Sequence, residues 1–269
     1  MKLALRIAAP LAALLVATPA FAAGEDLTKA IPPKEEHWSF QGPFGMYDKA
    51  ELQRGFQVYK EVCSACHSLN RVKFYTLADE GGPGFTPAEA KAIAAGYQIE
   101  AEPNDKGELF DANGERLKRP GILADHFPAP FPNEQAARAA NGGAAPPDLS
   151  LIAKAREDGP NYIHSLLTGF GQPVPAGYKL PEGKYYNPYF PGRAISMPPP
   201  LTEGAVTYAD GTKATVDQMS TDVTNFLMWA AEPKLEERHR LGFGVMAFLL
   251  VLAGLCYLSY RRVWKDTAH

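Results

Sequence analysis

The sequence predicts a mainly α-helical exported domain with large irregular loops and a short β-hairpin, followed by one C-terminal transmembrane helix. Three observations predict this. Helix-capping patterns flank long segments rich in proline and glycine, the chain begins with an export-type leader, and a long stretch without charge lies near its C-terminus.

The leader over 1–22 has the pattern of a secretory signal peptide. A cationic start at Lys2 is followed by an apolar run over 8–17, and small residues ending at Ala22 predict cleavage before Ala23. An uncleaved anchor is disfavoured because the apolar run is short. We therefore expect the body of the chain to be exported.

The uncharged run over 241–260 is long enough, at about 1.5 Å per residue, to cross a hydrocarbon core about 30 Å thick. Arg261 and Arg262 follow it directly, and basic residues favour the cytoplasmic side. The predicted order is a signal peptide over 1–22, a periplasmic domain over 23–235, a linker over 236–240, the span over 241–260 and a cytoplasmic tail over 261–269.

The predicted exported domain is acidic. Of 27 basic and 30 acidic residues, two basic ones lie in the leader, and five basic and three acidic ones follow Leu235, which leaves 20 basic against 27 acidic. The surplus argues against nucleic acid and suits a basic soluble partner. Candidate docking residues are Asp79, Glu80 and the group over 100–111, although the longer group is equally well explained as a solvated surface.

Three helices are indicated in the exported domain. Asp48, with an acidic residue three positions on, resembles a helix cap, and apolar residues then recur at spacings of three and four as far as Cys63. A capping box at Thr86 opens a short helix to about Gly96. The third helix begins after Thr215, carries one apolar stripe and is ended by a proline just before the linker.

Irregular structure is predicted between these helices. The polar stretch over 100–115 indicates a surface loop or small hairpin. The segments 120–147 and 178–200 are rich in proline and glycine, and such coil is ordered where it covers something. Alternation over 205–208 before an Asp-Gly turn at 210–211 predicts a short hairpin.

Cys63, Cys66 and His67 form the Cys-x-x-Cys-His sequence that attaches c-type haem. At a helix end, two thiols at this spacing reach the two vinyl groups of one porphyrin edge, and the adjacent imidazole serves as an iron ligand. A thioredoxin-like pair needs no following histidine, and a zinc site needs two more ligands, whereas the only other cysteine is Cys256. We expect one haem c, attached by two thioethers.

The second axial ligand decides between electron transfer and small-molecule binding, because a methionine sulfur closes the iron and raises its potential. Met197 is favoured because the three prolines after it hold an extended loop that presents the thioether rigidly. His126 and His164 remain alternatives. The other candidates fit core packing, the membrane or a place upstream of the haem helix: Met46, Met219, Met228 and Met246.

Four segments in order resemble the cytochrome c1 family. They are 54–63, 136–150 with its Pro-Pro-Asp-Leu-Ser, 189–197 and 229–233. The resemblance covers nearly the whole mature chain, including its single C-terminal anchor. Within the family, the chain is similar to bacterial members. It is specific, since Cys-x-x-Cys-His alone indicates only a c-type haem.

The resemblance implies a class I cytochrome c-like haem domain, in which the helix ending at Cys63 packs against the helix over 216–231 and large loops wrap the haem. It also implies that Met197 is the axial methionine, that Arg119 lies near a haem propionate and that Pro147 lies on the proximal haem face. A fixed arginine suits a partly buried carboxylate. Without the resemblance, the sequence favours the interpretation of Arg119 as a solvated loop charge.

Two features depart from the family pattern. His126 occupies a place where many members have a tyrosine, so its contact with haem is open. Some bacterial members carry an extra disulfide, which this chain cannot form internally because Cys256 is its only spare cysteine.

The family resemblance implies a role as the haem subunit of the dimeric cytochrome bc1 complex in a bacterial inner membrane. Electrons would come from the Rieske iron-sulfur protein beside cytochrome b, as ubiquinol is oxidised, and leave for a soluble c-type cytochrome. The chain alone is an electron carrier without catalytic side chains. The main alternative is a tethered cytochrome that donates to a terminal oxidase, against which the insertion over 81–146 counts. A gas sensor needs an open iron site and a dihaem peroxidase a second haem motif.

Overall fold

The computed structural model describes residues 26–266. The predicted signal peptide over 1–22 and the last three residues of the predicted tail lie outside them. The helices are α1 (Lys49–Glu61), α2 (Pro87–Ala95), α3 (Glu134–Ala140), α4 (Gly159–Thr168), α5 (Val216–Ala231) and α6 (Leu235–Val263). Two separate antiparallel pairs hold the strands, β1 (Gln98–Glu100) with β2 (Lys118–Pro120), and β3 (Tyr185–Tyr186) with β4 (Ala194–Ile195). The predicted mainly α fold with short β-pairs is confirmed.

The predicted helix before the cysteine motif is α1. The Asp48 carboxylate accepts hydrogen bonds from the N–H groups of Ala50, at 2.8 Å, and Glu51, at 3.1 Å, which stabilises its first turn. One face is buried, and a 3₁₀ turn over Cys63–Ala65 follows. The local sequence therefore delivers the motif at the end of a capped helix.

Helices α1 and α5 cross in close contact, as predicted. A Cβ added to Gly55 would lie 2.0 Å from the Asp222 carbonyl oxygen and 2.7 Å from the Phe226 Cβ, so only glycine allows this approach. Beside it, the Arg54 guanidinium pairs with the buried Asp222 carboxylate at 3.0 Å. The crossing thus combines backbone contact with a partly buried ion pair.

An aromatic cluster fills the core between the crossing helices and the loops. The Phe56 and Tyr59 rings of α1 lie 5.7 Å and 5.8 Å from the Phe226 ring of α5. Phe127, from the segment predicted as coil, lies 4.4 Å from Phe74. Such pairs add about 0.5–1.5 kcal/mol each beyond the burial of apolar area. The proline-rich segment is therefore ordered because its ring enters the helical core.

The second capping box and the small hairpin are confirmed. Glu89 Oε2 accepts from the Thr86 N–H at 2.7 Å, and Thr86 Oγ1 accepts from the Glu89 N–H at 3.2 Å. Strands β1 and β2 close the base of the polar loop, with Ile99 opposite Arg119. The hairpin therefore presents Arg119 at a defined register.

Two short helices have no counterpart in the sequence prediction. Within the segment predicted as coil, Asn133 accepts from the Ala136 N–H at 2.8 Å and caps α3. Helix α4 packs against α5, and its His164 is only 2% exposed. The His164 Nδ1 lies 3.5 Å from Glu36 Oε1 and its Nε2 3.2 Å from Asp217 Oδ1. His164 thus lies between carboxylates from two other segments.

The prediction of a hairpin over 205–211 was wrong about the strands. Val206 and Tyr208 are buried, so the alternation does reflect one inward face. The Thr207 carbonyl, however, accepts from Gln57 Nε2 at 3.0 Å and 205–208 forms no strand. The turn itself is present, since the Gly211 N–H donates to the Tyr208 carbonyl at 3.2 Å. A side chain of α1 here replaces a partner strand.

Helix α6 contains the predicted span over 241–260. It has 29 residues and a mean hydropathy of 2.3 in its most apolar window, none of which is buried within the part of the chain described. By length and composition it can cross a membrane. The residues of the predicted linker over 236–240 are helical and belong to α6. The two acidic residues in its first turn favour this helical start.

Replacing Gly55 with Ala tests the close crossing. The new methyl group must displace the Asp222 backbone, and overpacking of this kind should lower the free energy of unfolding by about 3 kcal/mol. Chemical denaturation of the full chain in detergent, followed by circular dichroism, measures it. Gly96→Ala is the matched control, because its Cβ would lie 3.3 Å from the nearest atom, the Ile93 carbonyl oxygen. Equal losses in both variants would contradict the close crossing.

Candidate haem site

The two cysteines lie on a tight turn directly after α1. The N–H groups of Cys66 and His67 both donate to the Cys63 carbonyl, at 3.1 Å and 2.9 Å. Cys63 is partly buried and Cys66 is exposed, and both thiols are free. Burial raises the pKa of the Cys63 thiol to about 12, so that sulfur is protonated at neutral pH. The turn therefore presents two thiols and one imidazole within five residues.

The His67 imidazole is oriented by a backbone carbonyl. Its Nδ1 lies 2.8 Å from the Pro147 carbonyl oxygen, and because that oxygen can only accept, Nδ1 carries the proton. The Nε2 lone pair is then left for a metal, as in many histidine ligands. Burial also lowers the pKa of His67, against the opposing effect of Pro147. The ring is neutral at pH 7, as a metal ligand must be.

Asp148 joins the segment after the motif to the segment that carries Pro147. Its Oδ2 accepts from Ser68 Oγ and the Asn70 N–H, both at 2.8 Å, and its Oδ1 accepts from the Ser150 N–H at 2.9 Å. Burial alone raises the pKa of Asp148, but these hydrogen bonds outweigh it and leave the pKa below the usual range. The carboxylate thus fixes the carbonyl that orients the imidazole.

Arg119 is held by a second carboxylate. Its Nη1 and Nη2 donate to Asp125 at 2.6 Å and 2.8 Å, and Nη1 also donates to the Pro120 carbonyl at 3.2 Å. The hydrogen bond that Asp125 accepts from Arg119 lowers the pKa of Asp125 to about 2. These bonds use three of the five guanidinium N–H groups. The other two are available to a further acceptor.

Tyr97 carries a buried hydroxyl without a hydrogen-bond partner among residues 26–266. Its ring lies 5.1 Å from Phe74 and 5.5 Å from Phe127, and burial raises its pKa to about 12. The Gly121 N–H donates to the Tyr97 carbonyl at 2.9 Å, so Tyr97 and Arg119 lie on the same hairpin. An unpaired buried hydroxyl costs about 1–3 kcal/mol. Tyr97 and Arg119 can therefore both donate hydrogen bonds to a porphyrin carboxylate.

Met197 follows the β3–β4 pair and is partly buried. The pairing of Tyr185 with Ile195 and a hydrogen bond from Lys184 Nζ to Ser196 Oγ at 2.5 Å fix the chain directly before it. Three prolines follow. The loop therefore enters and leaves Met197 in a restrained conformation.

The other candidate ligands have different surroundings. His126 is exposed and forms a backbone bridge with Lys73, whereas both ring nitrogens of His164 face carboxylates. Met219 is fully buried in the core, and Met46 is exposed. Like Met46, Met246 is exposed, and Met228 is partly buried against the core.

The residues present fit a covalently bound haem. The motif, the free imidazole nitrogen and the spare donors of Tyr97 and Arg119 are the groups that its vinyl, iron and carboxylate parts require. A cleft of 270 Å³ opens beside Cys66. Among residues 26–266, no group of three or more His, Cys, Asp or Glu side chains is arranged to hold a metal ion.

Sequence reasoning missed Tyr97, Asp125 and Asp148. Asp148 lies inside the Pro-Pro-Asp-Leu-Ser segment that supports the family resemblance, so its position could have been noticed. Asp125 lies six residues after Arg119 in the same loop, and a nearby opposite charge was a usable signal. The hydroxyl of Tyr97 is recognisable only once its burial is known.

Asp148→Asn tests the link between the two segments. An amide offers one acceptor oxygen instead of two, so an N–H or O–H donor near Asp148 faces the new NH₂ group. Loss of a charged hydrogen bond should lower the free energy of unfolding by about 2 kcal/mol, and the looser imidazole should shift the haem reduction potential. Denaturation and redox titration of the full chain measure both.

The matched control is Asp105→Asn, the same change at an exposed loop position, which should alter neither quantity. Because the folded-state pKa of Asp148 is lowered, its contribution is complete above the unfolded value of about 3.9 and is lost as pH falls through the folded-state value. An Asp148→Asn variant with unchanged stability and potential at pH 7 would contradict the proposed link.

Comparison with known proteins supplies the family. The sequence model described as the Cytochrome C1 family matches residues 38–267. Cytochrome c1 of Rhodospirillum rubrum is 48% identical over 250 residues, which cover 87% of this chain and 88% of that protein. The mitochondrial cytochrome c1 heme protein of Saccharomyces cerevisiae is 50% identical over 222 residues, covering 82% and 68%.

The cytochrome b/c1 protein of Bradyrhizobium diazoefficiens is 53% identical over 253 residues. The match covers 87% of this chain but only 36% of that longer protein. The family match extends over the haem motif, the hairpin, the Met197 loop and α6. The chain therefore belongs to the cytochrome c1 family.

Proposed function

We propose that the chain is the electron-transfer subunit of a bacterial cytochrome bc1 complex, the quinol–cytochrome c oxidoreductase. It takes electrons from a Rieske iron-sulfur protein and passes them to a soluble c-type cytochrome. The observation that carries this proposal is the hydrogen bond from His67 Nδ1 to the Pro147 carbonyl at 2.8 Å, directly after two free cysteines. The family membership and the apolar helix α6 support the same role.

Haem c, when bound, supplies the single-electron chemistry. Cys63 and Cys66 would attach its vinyl groups through thioethers, and His67 would offer Nε2 to the iron. Asp148 and Pro147 already hold the imidazole, so this ligand would keep its orientation in both oxidation states. Rigid ligands and a restrained chain suit repeated electron transfer.

Met197 is the proposed sixth ligand. A thioether is a neutral, soft donor that favours the reduced iron and raises the potential. The restrained loop supports this role, and the alternatives are less suitable, because His126 is exposed and His164 lies between Glu36 and Asp217. Arg119, fixed by Asp125, is the proposed donor to a haem propionate.

The proposed topology places the domain over 23–235 in the periplasm, the span over 241–260 in the inner membrane and the tail over 261–269 in the cytoplasm. Cleavage of the leader over 1–22 belongs to the same proposal. An apolar α6 that begins directly after the haem domain supports a single-pass arrangement. Cytochrome b and the Rieske protein are the proposed membrane partners, and the acidic surplus of the domain suits a basic soluble cytochrome.

Met197→Leu tests the sixth ligand. Loss of the sulfur should lower the reduction potential by on the order of 100 mV, part of the roughly 0.8 V range that axial ligands span. The opened iron should also bind carbon monoxide. Redox titration and optical spectra with carbon monoxide measure these changes, with Met228→Leu as the control that should leave both unchanged. An unchanged potential and spectrum in Met197→Leu would assign the ligand to another residue.

The proposed assembly is tested in native membranes. Gentle solubilisation, separation by size and detection of covalent haem should place this chain in a large assembly. That fraction should reduce cytochrome c with quinol, and the activity should fall in the Met197→Leu strain. Haem that migrates with the chain alone and is not reduced by quinol would contradict the proposal and favour a tethered carrier to an oxidase.

A further inference from the structure

A short glycine-built loop lies beside the start of α6. Residues 42–46, here called the 42–46 loop, begin at Gly42 with a φ of 78° and close with a hydrogen bond from the Gly45 N–H to the Gly42 carbonyl at 3.2 Å. A Cβ at Gly45 would lie 2.2 Å from the Phe40 carbonyl. The turn therefore has one tightly defined backbone path.

The 42–46 loop directs large apolar side chains outward. Phe44 is 79% exposed and Met46 is 61% exposed, whereas Phe40 and Tyr47 on either side are buried in the core. Folding of the haem domain therefore does not account for the apolar character of Phe44 and Met46. Exposed apolar groups fixed on a rigid turn indicate a contact outside the domain.

Phe44 lies at the same height as the beginning of the predicted span. Its ring stacks on that of Phe243, with centroids 5.0 Å apart and planes 14° apart. Phe243 is the third residue of 241–260, so at 1.5 Å per residue it lies about 3 Å inside the span. A side chain stacked on Phe243 must reach the same depth. The position of α6 thus determines what surrounds Phe44.

The 42–46 loop is attached to α6 by more than the ring pair. His239 Nδ1 donates to the Gly45 carbonyl at 3.2 Å, because that oxygen can only accept. Tyr47, the residue directly after the loop, is held as well: Glu236 Oε1 accepts from its N–H at 2.9 Å, and its hydroxyl donates at 3.1 Å to the carbonyl of Glu232, just before α6. The loop and the first turns of α6 therefore form one rigid element.

Charged side chains surround this element on the side of the haem domain. A cleft of 720 Å³ there is lined by basic and acidic groups, among them Lys234, Arg240, Glu80 and Glu237. Arg240 and Glu80 are exposed and 3.6 Å apart, and such pairs contribute little to stability. Exposed pairs of this kind can exchange partners with the phosphate and ammonium groups of lipids. Phe44 and Met46 line the same cleft.

We propose that the 42–46 loop is a second membrane contact of this chain, in which Phe44 and Met46 enter the outer leaflet of the bilayer and Arg240 binds lipid phosphates. The proposal rests on the proposed placement of α6 in the membrane. A single helix alone leaves a domain free to tilt, whereas two contacts joined rigidly fix its height and orientation. The partner is thus a lipid surface, and the loop sets how the haem domain stands above it.

The test uses the complete complex with full-length chain, reconstituted into phosphatidylcholine vesicles. Cys256→Ser removes the spare thiol, and Phe44→Cys is labelled with the polarity-sensitive fluorophore NBD. A second reporter at Met46→Cys leaves the Phe44–Phe243 stack intact. Quenching is measured with iodide in water and with a nitroxide-labelled lipid. The blank is the complex whose chain carries Cys256→Ser and no reporter cysteine.

Two reporters calibrate the result. Leu250→Cys lies in the middle of the span and is 70% exposed, so quenching by lipid there confirms the membrane placement of α6 independently of the loop. Ala112→Cys lies on the exposed polar loop and should respond only to iodide. The loop reporters should show several-fold less iodide quenching than Ala112→Cys and strong quenching by the labelled lipid.

Three results would overturn the proposal. Strong iodide quenching at both loop positions places the loop in water. Protection from both quenchers, with Leu250→Cys quenched by lipid, means that another subunit covers the loop. Loss of lipid quenching at Leu250→Cys as well contradicts the placement of α6 and removes the basis of the inference, a result distinct from failure of the loop alone.

Discussion

The close crossing of α1 and α5 at Gly55 sets the geometry of the whole domain. Because no side chain separates the helices there, the end of α1 has one position relative to the core, and the Cys63–Ala65 turn has one as well. The aromatic cluster below it then draws Phe127 into the core, and with it the loop that carries Arg119. Core packing and the position of the cysteine motif are thus consequences of a single contact.

Two carboxylates hold the residues of the candidate site in place beside this crossing. Asp148 holds the carbonyl that orients His67, and Asp125 holds Arg119. In both cases a carboxylate holds in place a group that is proposed to contact the cofactor, so a large irregular domain positions a few groups with little regular secondary structure. At the other end, α5 leads within four residues into α6, which transmits the orientation of the core to the helix proposed to cross the membrane.

Features encoded locally were predictable from the sequence. Asp48, Thr86 and Thr215 begin helices because their side chains accept from N–H groups two or three residues on. Contacts between distant segments were not, since Asp148 and Ser68 lie 80 residues apart. Helices α3 and α4 are too short for a clear apolar period, and alternation over 205–208 cannot distinguish a partner strand from the Gln57 side chain.

We propose that the turn after α1 carries one covalent haem. The most direct measurement is the intact mass of the purified chain, combined with alkylation of free thiols after denaturation. The expected result is a mass increase of one haem and a single alkylated thiol, at Cys256. No added haem mass, with Cys63 and Cys66 both alkylated, would contradict it.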